Sequence, residues 1–163
     1  HAKSSWKDPD LDDHDRPLNK RGKAAAEAIG AFMVQEGMAP DLVLCSSAKR
    51  TRSTLKKVRP ALDKDAVTVF DEALYHADAG EWLRRLRGLN PDVGSVLLIG
   101  HNPALETLAH RLAGGGDTDA FDRMAVKFPT GALAVFKADV GNWGELEPHG
   151  ARLASFTCPR DLE

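Results

Sequence analysis

Three short stretches combine residue types that can handle an anion. Ser46-Ser47-Ala48-Lys49-Arg50-Thr51 closes an apolar run, Leu42 to Cys45, and opens a segment of helical character. Free backbone N–H groups and the Arg50 guanidinium in the first helical turn then converge on one spot, an anion site by construction. Gly100-His101-Asn102-Pro103 repeats the arrangement. There an apolar run ends, Asn102 can cap, Pro103 takes the first helical position, and His101 is left at the strand tip. The third stretch is His1-Ala2-Lys3-Ser4-Ser5-Trp6, followed after a polar loop by Arg16-Pro17-Leu18-Asn19. Two imidazoles and two guanidinium forks meeting around one tetrahedral anion could grip it.

Taken singly, each stretch also fits ordinary structure, as a solvated helix start or a satisfied histidine. What unites them is the elements that carry them. Asp8 to Pro17 reads as a polar loop, with Asn19 as N-cap of a helix over Lys20 to Glu36 that Gly37 and Pro40 stop. Ala25, Ala28, Ile29, Phe32 and Met33 give that helix its apolar face. Asp41 to Ser46 is a strand buried on both faces, followed by a helix over Ala48 to Leu62 that Pro60 ends or kinks. Val67 to Phe70 is the next strand, Gly80 to Leu89 a helix, Ser95 to Ile99 a strand and Pro103 to Ala113 a helix. Gly114 to Gly131, opening on three glycines, reads as loop, and two late strands, Ala132 to Lys137 and Leu153 to Thr157, join through Gly141 to Gly150. Alternation of this kind predicts a three-layer α/β/α sandwich on a mostly parallel sheet, whose sites lie beyond the strand C-termini.

The 163 residues correspond to one domain, 1–163, at roughly 150 residues per domain. Lys plus Arg number 22 against 24 Asp plus Glu, so the net charge of −2 offers no broad footprint for nucleic acid or an anionic membrane. No apolar run approaches the roughly 20 residues that span a bilayer. Cys45 and Cys158 lack the spacing of a metal knuckle and read as reduced structural thiols, which favours the cytoplasm. The chain begins at His1 rather than Met, so residues upstream are expected, including the first strand of the sheet.

At this point the sequence resembles the histidine phosphatase superfamily, with its phosphoglycerate mutase-like fold, and within it the SixA-like phosphohistidine phosphatase branch. The resemblance rests on His-Ala-Lys-Ser-Ser-Trp from His1, Asp-Arg-Pro-Leu-Asn from Asp15, Ser-Ser-Ala-Lys-Arg-Thr-Arg-Ser-Thr from Ser46, Gly-His-Asn-Pro from Gly100 and Phe-Pro-Thr-Gly-Ala from Phe128. It implies that His1 is a nucleophile phosphorylated on a ring nitrogen, and that Arg16, Arg50, His101 and Ser4 bind the phosphoryl oxygens. It also implies that no metal and no cofactor are needed. The family's motif has an arginine directly before its nucleophile, and none precedes His1 here. Glu72 stands where the larger superfamily has a proton-donating carboxylate, with His76 and Asp78 as alternatives. Lys7 stands where the superfamily's mutases have an asparagine, which separates the chain from them.

Short connections after Phe70 and Ile99 leave little chain for a deep lid, so the pocket is expected to be open enough for a large substrate. The resemblance implies a phosphohistidine-bearing protein, such as a phosphotransfer domain in signal transduction. Two rivals are a small phosphate ester, with the Gly114 to Gly131 loop folding over it, and a phospho-ligand binding module without turnover. His14, His110 and His149 are read as surface or structural, and Trp6 as a residue that can lie over the site.

Overall fold

Leu42, Val43, Leu44 and Cys45 are all buried, which makes β1 (Leu42–Ser46) a strand hidden on both faces. Such a strand needs helices on either side, and the structure, a computed structural model describing residues 1–163, supplies them. Side chains alternate across a pleated strand. Leu42 and Leu44 pack against Trp82, Leu83 and Leu86 of α4 (Ala79–Arg87) and Leu108 of α5 (Ala104–Leu112). Val43 and Cys45 face the other way, onto Ile29 and Met33 of α1 (Lys20–Gln35) and Leu55 and Val58 of α2 (Lys49–Val58). Each large aliphatic side chain buried this way contributes roughly 1.5–3 kcal/mol, so both helical layers are held through one strand.

Strand β1 lies between β2 (Val67–Asp71) and β3 (Val96–Ile99) and runs parallel to both. A short helix, α3 (Ala73–His76), follows β2. A second sheet has the order β4 (Ala113–Gly116), β6 (Ala151–Thr157), β5 (Leu133–Ala138), with β4 parallel and β5 antiparallel to β6. The layered, mostly parallel α/β arrangement is the expected one, although its strands are divided between two three-stranded sheets. The sheets meet at His1. Its backbone nitrogen donates to Gly100 O beyond β3 (3.1 Å), and its carbonyl accepts from Gly131 N ahead of β5 (2.9 Å).

The stretch from Gly114 to Gly131 is not the loop that its glycines suggest. It contains most of β4 and a helix, α6 (Thr118–Val126), whose Ala120 and Met124 are buried against Phe156 and Leu153. Glycine here serves close approach rather than a break: a Cβ on Gly116 would stand 2.2 Å from Leu153 O. Asp117 then caps α6 by accepting from Ala120 N. The segment is therefore anchored to β6. Smaller departures follow from proline. Pro60 turns the end of the expected Ala48 to Leu62 helix into a 3-10 turn (Arg59–Ala61), and Pro103 sits at the N-cap rather than in the first turn. Cys45 and Cys158 are free and buried, and burial pushes the Cys45 thiol up to about 12. No helix is long and apolar enough to cross a membrane.

The segment carrying His1 is fixed by α1. Asn19 accepts from Gly22 N (2.7 Å) as N-cap, while its backbone N–H donates to Lys3 O (3.0 Å) and its side-chain amide to Ser4 O (3.3 Å). Gly22 permits this contact, since a Cβ there would stand 2.0 Å from Lys3 O. Gly22→Ala is therefore expected to destabilise the fold by about 1–3 kcal/mol and to displace Lys3 and Ser4. Urea unfolding measures the first effect and inorganic phosphate affinity the second; a variant with unchanged values of both would contradict this packing.

Candidate active site

His1 lies at the rim of the first sheet, with its ring centroid 5.1 Å from that of His101. Its Nδ1 is 2.6 Å from Ala2 O, a contact that places the ring proton on Nδ1. Nε2 is left with its lone pair, and it accepts from Arg50 Nε at 3.2 Å. The backbone around it is also tied down, with Ala2 N donating to Thr54 Oγ1 on α2 (3.0 Å).

Arg50 leaves the first turn of α2 and is buried, as is Arg16. Both meet Asp13, on a 3-10 turn (Asp13–Asp15) in the acidic loop. Asp13 Oδ1 accepts from Arg16 Nε (3.0 Å) and Oδ2 from Arg50 Nη2 (2.9 Å), while its backbone carbonyl accepts from Arg50 Nη1 (2.6 Å). The Tyr75 hydroxyl of α3 also donates to this carboxylate. That hydroxyl first, then Arg50 and Arg16, hold the Asp13 carboxyl at about 2, against the opposing effect of burial. Arg16 is further oriented by Ser4 Oγ (2.8 Å) and by the Trp6 ring, 3.4 Å from its guanidinium carbon. A single carboxylate thus occupies donors of both guanidinium groups.

His101 completes the ring of groups. Its Nδ1 accepts from Arg50 Nη2 (3.3 Å) and its Nε2 lies 2.7 Å from Ser46 Oγ, at the end of β1. Burial, then the Arg50 charge, lowers the imidazole to about 3, so it is neutral near pH 7. Ser46 can donate or accept as its hydroxyl rotates. His101 can therefore present an acceptor to Arg50 or an N–H to an anion without losing Ser46.

His1, Arg16, Arg50, His101 and Ser4, expected to share one site, are brought together. Ser4 touches Arg16 and reaches the cluster through it. Glu72 is not part of the cluster: its side chain is exposed, with no hydrogen bond or ion pair to these residues. Asp78 caps α4, accepting from Glu81 N, and His76 reaches the group only through an edge contact with the Tyr75 ring. Asp13, Tyr75 and Ser46 were not singled out from sequence as site residues. The acidic loop had offered several carboxylates without a pattern to choose among them, and His14, set aside as structural, lies against Tyr75 and bonds Ser47 Oγ (2.9 Å). The Phe128 to Ala132 motif acts as a brace, with Phe128 O accepting from Asn102 Nδ2 (3.0 Å) and Gly131 N holding His1 O.

A family model, histidine phosphatase superfamily (branch 1), matches residues 1–87. An uncharacterized protein of Mycobacterium tuberculosis is 38% identical over 162 residues, covering 98% of this chain and 99% of its own length. Among solved structures, a candidate phosphohistidine phosphatase SixA from Agrobacterium tumefaciens aligns with a TM-score of 0.81 at 31% identity, covering 98% of this chain and 94% of that one. A second, from Nakamurella multipartitia, gives 0.83 at 29%, covering 98% and 92%. The protein histidine phosphatase SixA complexed with tungstate shares the fold at 23% identity, with a TM-score of 0.79 over 100% of this chain and 96% of that one.

The free-state pairing has measurable consequences. Asp13→Asn removes a negative charge from the anion site, so inorganic phosphate is expected to bind about fivefold more tightly by calorimetry; weaker binding would mean that Asp13 chiefly orients the arginines. Because the Asp13 carboxyl lies below its unfolded value of about 3.9, the stability it contributes is present above that pH and lost as pH falls toward about 2. The same variant should therefore flatten that part of the acid-unfolding curve. For His101 the unfolded chain takes up a proton below about 6.5 and the folded chain does not, so stability declines as pH falls from there toward about 3. Nitrogen NMR of its ring in the free protein should stay at neutral-imidazole values between pH 8 and 4.

Proposed function

The chain belongs to the histidine phosphatase superfamily (branch 1), and we propose that it is a phosphatase hydrolysing protein-borne phosphohistidine through a covalent phospho-His1 intermediate. The observation that carries this reading is the His1 ring: Nδ1 is tied to Ala2 O, which leaves the lone pair on Nε2, the nitrogen in contact with Arg50 Nε, with the His101 ring centre 5.1 Å away. In the first step the Nε2 lone pair forms a bond to phosphorus as the P–N bond to the substrate imidazole breaks, and that imidazole keeps the electron pair and takes a proton from solvent. In the second, water attacks phospho-His1, releasing phosphate and returning the ring to its neutral form. Each step spreads charge over the equatorial phosphoryl oxygens, which the Arg16 and Arg50 forks, once released from Asp13, and His101 stabilise. Asp13, ionised near pH 7, has no proton to give. An imidazole leaving group makes a weaker demand for an acid than an alkoxide does, which fits a site where Glu72 stands apart. The SixA likenesses support the phosphohistidine substrate, and the open cleft beside the cluster, lined by His14, Ser47 and Lys49, suits one carried on a protein surface.

The test is trapping. Incubation with phosphoramidate and a quench in base should leave acid-labile phosphate on the peptide containing His1. His1→Ala should abolish the label and lower turnover of a phosphohistidine peptide about a thousandfold or more. Unlabelled His1, with activity surviving the substitution, would refute the covalent route.

A further inference from the structure

Beside the catalytic cluster lies an open cleft of about 480 Å³ that the proposed chemistry does not use. One wall is α2, where Lys49, Arg52 and Lys56 follow one another at helical spacing on the exposed side, opposite the buried Thr51, Leu55 and Val58. None of the three has a carboxylate partner. Neighbouring cations do: Lys57 pairs with Glu27 and Arg85 with Asp71. The only carboxylate lining the cleft is Asp15, which lies 3.5 Å from His14 Nδ1. Like charges three and four residues apart weaken a helix, and here nothing in the fold compensates them. In a protein of net charge −2, this is a local basic surface rather than a general property.

Phe70, an aromatic residue left 48% exposed, also lines the cleft, with the Arg52 guanidinium carbon 5.1 Å from its ring centre. His14 and Ser47 line it too and are joined by a 2.9 Å contact, and His14 lies against Tyr75. The three cations extend over two helical turns, about 10 Å at 1.5 Å per residue. That length exceeds a second phosphate on a small molecule and matches carboxylates spaced along a protein segment. Charge complementarity of this kind selects partners and speeds encounter.

We propose that this cleft docks an acidic segment flanking the phosphohistidine of the substrate protein. Lys49, Arg52 and Lys56 engage its carboxylates, and Phe70 meets its apolar side. The inference rests on the phosphohistidine reading above and adds the surface that chooses among substrates.

Two phosphohistidine peptides, one flanked by glutamates and one by lysines, test it against free phosphohistidine. The protein should prefer the acidic peptide at least tenfold in kcat/KM, with the preference shrinking as salt rises. Lys49→Glu, Arg52→Glu and Lys56→Glu together should raise KM for that peptide at least tenfold and leave hydrolysis of free phosphohistidine unchanged. The alanine triple variant should act in the same direction with a smaller change. Absence of a preference, or equal losses on peptide and free phosphohistidine, would overturn the proposal. Fluorescence anisotropy with a glutamate-rich peptide lacking phosphate reads docking apart from turnover. If phosphohistidine is not hydrolysed at all, binding lost on charge reversal sinks the functional reading and keeps the acidic-segment surface, whereas equal binding by both proteins sinks the surface.

Discussion

Two guanidinium groups held almost entirely out of water require a counter-charge, and much of this molecule is arranged around that requirement. Removing a cation from solvent is costly unless an anion and well-directed acceptors replace the lost hydration. In the free protein Asp13 supplies both, through its two carboxylate oxygens and its backbone carbonyl. Any anion that binds these arginines would therefore enter a site that is already electrostatically satisfied. Its binding would be an exchange of one anion for another, with a strength set by the difference between the two. The side chain to be displaced sits on a half-exposed turn, while the arginines it leaves behind are anchored by a helix, a serine and a tryptophan.

The scaffold meets this demand with contacts between segments far apart in the chain. Asn19 locks the start of α1 to Lys3 and Ser4, Thr54 holds Ala2, and Ser46 at the end of β1 aligns His101 beyond β3. Asn19 lies at a helix N-terminus and Ser46 at a strand tip, where the backbone has donors and acceptors to spare. The short motifs visible in sequence are thus mutual fasteners as much as reactive groups. Phe128 to Ala132 is the clearest case: its backbone braces both the His1 and the Asn102 segments.

The alternation of strands and helices was legible because each has a period and a stop signal, as in Asp41 to Ser46 or Lys20 to Glu36. The meeting of Arg50 and His101 was legible because parallel strands deliver their C-terminal ends to one edge, whereas His1 and Arg16 were placed beside them by the family resemblance. Asp13 was not, since an acidic loop has no periodicity and its partner Tyr75 is sixty-two residues away. Glu72 was favoured by its position after β2, yet the turn into α3 leaves its side chain in solvent. The Gly114 to Gly116 run misled because glycine marks breaks and close approach alike, and only the neighbouring β6 decides between them. Tertiary packing, rather than local preference, resolved each of these cases.

His1 is clasped between Gly100, ninety-nine residues away, and Gly131, which belongs to the other half of the molecule. The two contacts take opposite ends of one residue, its nitrogen and its carbonyl, so the backbone beneath the ring is pinned by both halves at once. Without β5 and β6 docked, His1 would keep its contacts to Gly100 and Arg50 and lose the one to its carbonyl. The placement of this imidazole is thereby coupled to the docking of the two sheets, so a substitution that loosens β5 from β6 would reach His1 without touching the cluster.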